Sequence, residues 1–317
     1  MQKRWSVLVF FSVMAAVGGA ALFWKTQPGT ASDEVLPVPF GVVFKPNIAY
    51  CQAGGETLEL DWAEPESRAT PRPAVVLVHG GAWMFGQRSE LRSLQFMLAK
   101  EGFVAVSVDY RLAPNAVFPQ PLNDLQCAVR WLRSHATAHA VAPDHIGAWG
   151  HSAGAHLAAL LAVTSKHADL QGAGQVLAAP GSAGIDSPAN PISSHVQAVI
   201  AHSGIYDLNT ALEPTAAVAS DAKRGAAAMA GGNDPVSLRR ASVATYASPQ
   251  AAPIFILHGD NDLISPVSQA LQLHDALQAQ GARSQLVVVP GAGHNDLGAS
   301  APRVLADAVT FLKQAHR

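Results

Sequence analysis

The sequence predicts an α/β fold, a mostly parallel sheet covered by helices on both faces. Two observations carry this. From about residue 40 onward, short apolar β-rich runs alternate with helical patterns, and such a βαβ series builds a parallel sheet because each crossover helix returns the chain to the same edge. The runs are also mainly apolar, as strands covered on both faces tend to be. With 317 residues, 49% of them hydrophobic and 14% charged, the chain can bury a sizeable core.

The elements follow in order. Lys3 and Arg4 precede an uncharged apolar run from Trp5 to Trp24, long enough at about 1.5 Å per residue to cross a bilayer. Residues 1–24 are therefore expected to engage a membrane or the export machinery. One form is a signal peptide cleaved near Gly18 and Ala20; the other is an uncleaved anchor whose basic end stays inside. A buried core helix is the alternative, but such helices seldom lack polar residues throughout. Either export reading places the remainder outside the cytoplasm, anchored and facing outward, or periplasmic or secreted. Residues 25–39, with Pro28, Gly29, Pro37 and Pro39, read as a linker, and 40–317 as the folded domain.

Within that domain, Gly41 to Tyr50 and Thr57 to Ala63 are expected as an antiparallel edge. Parallel strands are expected at Ala74 to His79, Phe103 to Tyr110, His145 to Gly150, Val196 to His202, Pro253 to His258 and Gln285 to Pro290. Helices are expected at Ser89 to Lys100, Asp124 to His135, Ala153 to Val163, Pro266 to Gln280 and Pro302 to Gln314; these assignments rest on apolar periodicity. Two stretches fit no element: Ser165 to His195, with several Gly and Pro, and the Ala-rich Leu208 to Ser248. Loops of that length in a compact domain serve as lids or insertions, so both are expected to wall a pocket.

Composition excludes some functions. The formal net charge is -2 and no basic run exceeds a pair, so the electrostatic footprint of a nucleic-acid binder is missing. Cys51 and Cys127 allow at most one disulfide, which sequence spacing does not decide; they read as two buried free thiols. Neither has a second Cys at metal-site spacing, and His135 and His139 lack a third ligand nearby, so no metal is expected and the two histidines should decorate a solvated helix end. Asp109 and Arg111 should form a structural ion pair.

The chemistry-bearing signals lie at the ends of expected strands. Gly150-His151-Ser152-Ala153-Gly154 follows one strand and opens a helix, the context of a nucleophile elbow that lifts a serine hydroxyl above the sheet. An ordinary Gly-rich turn is the alternative. His79-Gly80-Gly81-Ala82-Trp83 ends an earlier strand, and its glycines let backbone N–H groups approach a substrate, so Gly80, Gly81 and Ala153 are candidate donors to an oxyanion. Trp83 is a candidate to line the pocket or to pack in the core. Asp262, in His258-Gly259-Asp260-Asn261-Asp262, and His294, in Gly291-Ala292-Gly293-His294, follow late strands and supply acid and base in the chain order Ser, Asp, His. Asp260 and Asp207 read as turn-stabilising residues, and His151 should point away from the hydroxyl.

At these residues the chain resembles the α/β-hydrolase superfamily, within it the esterase and lipase group related to hormone-sensitive lipase and to kynurenine formamidase-like and feruloyl-esterase-like enzymes. Val108 to Pro114 and Phe118-Pro119 add to the likeness, which runs from about Phe40 to the C-terminus. The resemblance implies Ser152 as nucleophile, Asp262 as acid, His294 as base, and Gly80, Gly81 and Ala153 as oxyanion donors. There are departures. Ala82 stands where the lipase group has a third Gly, His151 stands where it often has Asp, and the stretch before Phe40 is short for that group's helical cap. Gly150 to His156 looks like the formamidase-like branch instead.

The expected function is a cofactor-independent serine carboxylesterase acting on small esters, short-acyl ones first, through an acyl-enzyme on Ser152. An aryl formamidase or a peptidase would use the same machinery, although export counts against the formamidase. A non-catalytic binding protein on the same scaffold should look damaged at the Ser, Asp and His positions, and here each is filled.

Overall fold

A computed structural model of the protein describes residues 36–67, 71–172, 175–177, 192–213 and 216–315. The expected export segment 1–24, most of the linker and much of Ser165 to His195 lie outside the described residues. Among the described residues no helix is long and apolar enough to cross a membrane.

The antiparallel edge is a hairpin of β1 (Val42–Ala53) and β2 (Glu56–Pro65). Gly54 and Gly55 turn it with φ of 61° and 83°, which glycine adopts without a Cβ penalty. Then come β3 (Arg72–Val78), α1 (Arg92–Lys100), β4 (Val104–Val108), α2 (Gln120–Ser134), β5 (Val141–His151), α3 (Ala153–Val163), β6 (Gln175–Val176) and β7 (Val199–His202). The chain continues with α4 (Leu208–Leu212), α5 (Ser220–Ala230), α6 (Pro235–Ala241), β8 (Ile254–Gly259), α7 (Ser268–Ala279), β9 (Ser284–Val289) and α8 (Ala301–Ala315). One nine-stranded sheet results, in the order β6-β1-β2-β4-β3-β5-β7-β8-β9. From β4 to β9 every neighbouring pair is parallel. The short β6, added antiparallel to β1, has no counterpart in the sequence pattern.

Alternation along the strands shows why both faces are covered. Ala74, Val76 and Val78 pack in one core with Leu122, Leu125, Leu157 and Leu273 of α2, α3 and α7. Val75 and Leu77 face the other core, with Leu94 and Leu98 of α1 and Val304 and Leu312 of α8. α3 is buried along its whole length, as an all-round apolar helix must be.

Chain order reverses between β3 and β5. From β3 the chain steps outward to β4, then crosses back to β5 on the other side, and loops at such a switch point part to leave a crevice above the strand ends. Register places the loops: Val78 pairs with Gly150, His151 with His202, His202 with Leu257, and Gly259 with Val289. The segments that follow β3, β5, β8 and β9 thus emerge at one edge.

Several expectations are corrected. Leu208 to Ser248 is helical: α4, α5 and α6 replace the expected loop. Its start and stop signals are present in the sequence, but its apolar periodicity is weak. Gly231, at φ 82°, ends α5 in the left-handed conformation, and Asp234 caps α6 by accepting from Val236 and Ser237 N–H ahead of Pro235. Cys51 and Cys127 are joined in a disulfide between β1 and α2, with Cα atoms 6.2 Å apart and a sequence separation of 76. Closing a loop of that length stabilises the fold by about 4 kcal/mol in the chain-entropy account. His135 is buried, its ring stacked on Trp131 at 4.3 Å, and His139 lies 4.8 Å from Trp62, so this helix end is packed rather than solvated. Asp109 pairs with Arg88, and Arg111 with Asp124 at 2.7 Å. The two are near in sequence, yet packing brings each a different partner.

Candidate active site

Ser152 joins β5 to α3 with φ 56° and ψ -121°, a conformation that costs a non-glycine residue about 1–3 kcal/mol and persists only where the surroundings impose it. They do so through close approach. A Cβ on Gly150 would overlap the carbonyl of Gly154, and one on Gly154 the carbonyl of Val78. The Ser152 N–H also donates to the His202 carbonyl at 2.8 Å. The hydroxyl is thereby raised at the N-terminus of α3.

His294 reaches it from the loop after β9: its Nε2 lies 2.9 Å from Ser152 Oγ, and its Nδ1 lies 2.7 Å from Asp262 Oδ2. An ionised carboxylate only accepts, so Nδ1 carries the proton and Nε2 is left to accept the serine's. The other oxygen, Oδ1 of Asp262, accepts from the N–H groups of Ile264 and Ser265, both at 2.8 Å. Burial raises the affinity of Asp262 for a proton, but hydrogen bonds from His258 and His294 outweigh it and hold the carboxyl well below the usual carboxylate range. The acid stays charged, as an imidazole-orienting group requires.

The loop after β3 supplies the third part. A Cβ built on Gly80 would lie 3.2 Å from the Cβ of Ser152, and one on Gly81, at φ 102°, would overlap the carbonyl of Phe85. Among the described residues none accepts a backbone hydrogen bond from the N–H of Gly80, Gly81 or Ala153, which leaves these donors for a substrate oxygen. The loop is held from behind. His79 Nδ1 donates to the Gly80 carbonyl at 2.8 Å, its ring stacks on Tyr110 at 4.4 Å, and Tyr110 donates to the His79 carbonyl at 3.1 Å. Burial lowers the His79 pKa to about 4, so this ring is neutral.

The structure places Trp83 in the core, 1% exposed, with its indole N–H on His156. Of its two expected settings the packed one is found. Asp207 accepts from the Asn209 N–H at 2.9 Å and caps α4, the local role expected of it, whereas Asp260 accepts from the Gly291 N–H at 2.6 Å and so ties its loop to the one after β9 instead of bonding within its own turn.

Beneath the site lie two histidines, His151, expected to point away from the hydroxyl, and His258, to which the sequence reading assigned no role. The His151 Nε2–H donates to the His294 carbonyl at 3.0 Å. Burial first, and then the neighbouring His294, lower its pKa to about 3. His258 Nε2 donates to the Ser265 carbonyl at 2.8 Å and lies 3.3 Å from Asp262 Oδ2. His151 lies within the elbow motif and His258 opens the acid motif, each where a strand ends in His, and that is the available signal. Among the described residues no cluster suited to a metal ion occurs.

Comparison with known proteins agrees with this geometry. Residues 60–277 match the BD-FAE family. Esterase LipQ of Mycobacterium tuberculosis is 30% identical over 83% of this chain, and the chain spans 60% of the length of that relative. An esterase of Thermogutta terrifontis solved with butyrate bound is 26% identical, with a TM-score of 0.64, over 84% of this chain and 94% of its own; the same esterase has been solved phosphorylated by paraoxon. A truncated carbohydrate esterase from gut microbiota superimposes with a TM-score of 0.72 over 86% of this chain and 96% of its own, at 24% identity, which speaks to fold alone.

Proposed function

The chain belongs to the BD-FAE family and has the α/β-hydrolase fold, and from that premise we propose that it is a serine carboxylesterase. The observation that carries the reading is the hydrogen-bonded series Ser152 Oγ, His294 Nε2, His294 Nδ1, Asp262 Oδ2, at 2.9 and 2.7 Å, beside backbone N–H groups that have no partner among the described residues. Ser152 Oγ attacks the ester carbonyl carbon while His294 Nε2 takes its proton. The carbonyl oxygen becomes an anion that the N–H groups of Gly80, Gly81 and Ala153 receive. Collapse breaks the bond to the alcohol oxygen, which leaves with the proton from His294, and the acyl group remains on Ser152. Water, deprotonated by His294, then attacks that acyl carbon, and a second collapse returns Ser152 and releases the carboxylic acid.

Short-acyl esters are the proposed substrates. The butyrate held by the Thermogutta terrifontis esterase supports this size. Phe85 and Leu263, 60% and 80% exposed, follow the oxyanion loop and the acid in sequence and are candidates for apolar contact with the acyl group. A ladder of acyl esters, with formylkynurenine as a separate arm, tests the reading. Acetyl and butyryl esters should turn over at least about tenfold faster than long-chain emulsions, a ratio that a few methylene contacts supply. Faster turnover of the emulsions reverses the size assignment, and preference for the formamide reverses the bond assignment.

Export through residues 1–24 is the second part of the proposal. The buried Cys51–Cys127 disulfide supports it, because disulfides persist in oxidising compartments and are rare in the cytosol. In cells that make the full chain, activity should be found outside the cytoplasm, and neither cysteine should react with alkylating agent before reduction. Activity confined to the cytosol, with both thiols alkylated, removes the export reading.

A further inference from the structure

Separate parts of the molecule meet at His156. It lies one helical turn beyond Ser152 on α3 and is fully buried. On one side its Nδ1 accepts from Trp83 Nε1–H at 3.2 Å; on the other its Nε2–H donates to the Ala241 carbonyl at 2.8 Å. An indole nitrogen only donates, and a neutral imidazole has one donor and one acceptor. The tautomer is therefore decided, and both ring nitrogens are in use. Burial lowers the pKa to about 4, with the Ala241 carbonyl working the other way, so the acceptor persists at neutral pH.

Each partner connects to something larger. Trp83 follows Gly81 and Ala82 in the oxyanion loop, and Ala82 and Trp83 hold φ of 50° and 58°, left-handed values that a non-glycine residue keeps only under constraint. Ala241 is the last residue of α6, where a helix carbonyl has no intrahelical partner and must find one outside. The same insertion touches the same loop a second time: a Cβ on Gly225 of α5 would overlap the carbonyl of Ala82. The helices of 208–248 therefore meet the oxyanion loop by two routes, one direct and one through His156.

We propose that His156 is a positioning residue that couples the α4–α6 insertion to the oxyanion loop through Trp83, so that the insertion holds the N–H groups of Gly80 and Gly81 over Ser152. This deepens the esterase reading and rests on it. The insertion then acts on turnover as well as on substrate fit. Because the oxyanion develops only on the way to the transition state, loosening the loop lowers kcat and leaves KM nearly alone.

The test measures kcat and KM on one short ester for wild type, His156→Leu, His156→Gln, Trp83→Phe and Gly225→Ala. His156→Leu and Trp83→Phe should lower kcat by about tenfold to a hundredfold, the scale of a small misplacement in an active site. Gln, whose amide both accepts and donates, should recover much of the loss. Trp83→Phe keeps an aromatic ring and removes the N–H donor together with part of the indole's volume, so it tests the coupling even where His156→Leu fails to fold. Gly225→Ala favours the helix by itself yet presses on Ala82, and should also lower kcat. Wild-type kcat in both Trp83→Phe and Gly225→Ala, or a change confined to KM, overturns the proposal. An inactive wild type overturns the esterase reading and this proposal with it, whereas an active wild type with unaffected variants overturns this proposal alone.

Discussion

Replacing Ser152 with Ala is expected to lower ester turnover by about 10⁶-fold, the loss seen when the serine of a comparable Ser-His-Asp site is removed. The fold should be unchanged. The left-handed backbone at this position is imposed by Gly150, Gly154 and the His202 carbonyl, and Ala meets the same Cβ strain as Ser, so the substitution removes the hydroxyl and little else. Paraoxon should phosphorylate wild type at Ser152 and leave the variant unlabelled, while circular dichroism of the two coincides. Near-wild-type turnover in Ser152→Ala, or labelling that survives it, would show that the nucleophile lies elsewhere and would sink the proposed mechanism.

Asp262→Asn is expected to cost about 10⁴-fold in turnover, the magnitude found for the orienting carboxylate of a serine protease. An amide at this position turns an N–H toward His294 Nδ1 or accepts without charge, and the imidazole loses the tautomer that leaves Nε2 free for the Ser152 proton. Asp207→Asn and Asp260→Asn should stay near wild type. Each accepts a backbone N–H, from Asn209 and Gly291 respectively, and an Asn carbonyl accepts the same bond. Turnover on a single ester, with thermal unfolding to exclude loss of fold, separates the three. Collapse in Asp207→Asn together with wild-type turnover in Asp262→Asn would move the acid to the loop after β7.

How much of this is legible in the sequence depends on the range of the interactions. The strands β3, β4, β5, β8 and β9 can be read because each contains a short apolar run between turn residues, and α3 because a stretch apolar but for His156 follows Gly150 to Gly154. The candidate site can be read for the same local reason. An elbow needs Gly at Gly150 and Gly154, where backbone atoms of Gly154 and Val78 leave no room for a Cβ, and the motif therefore carries its structural requirement within itself. Ser152, Asp262 and His294 each sit just past such a strand, and parallel pairing does the rest.

What the sequence could not decide lies where partners are distant along the chain. Cys51 and Cys127 read as free thiols, and only the packing of α2 against β1 brings them within bridging distance. Trp83 was open between pocket and core until a histidine 73 residues further on took its N–H. Arg88, not Arg111, pairs with Asp109, since the segment after the oxyanion loop returns to the edge of β4. The residues at 208–248 are weakly periodic, so their helices show only in caps such as Asp234 and Gly231, and their contact with the oxyanion loop shows nowhere in the sequence. Local steric demands and apolar periodicity are written residue by residue and survive without the fold. Disulfide pairing, choice of ion-pair partner and the bridge at His156 depend on which surfaces the tertiary structure brings together, and no local pattern encodes that.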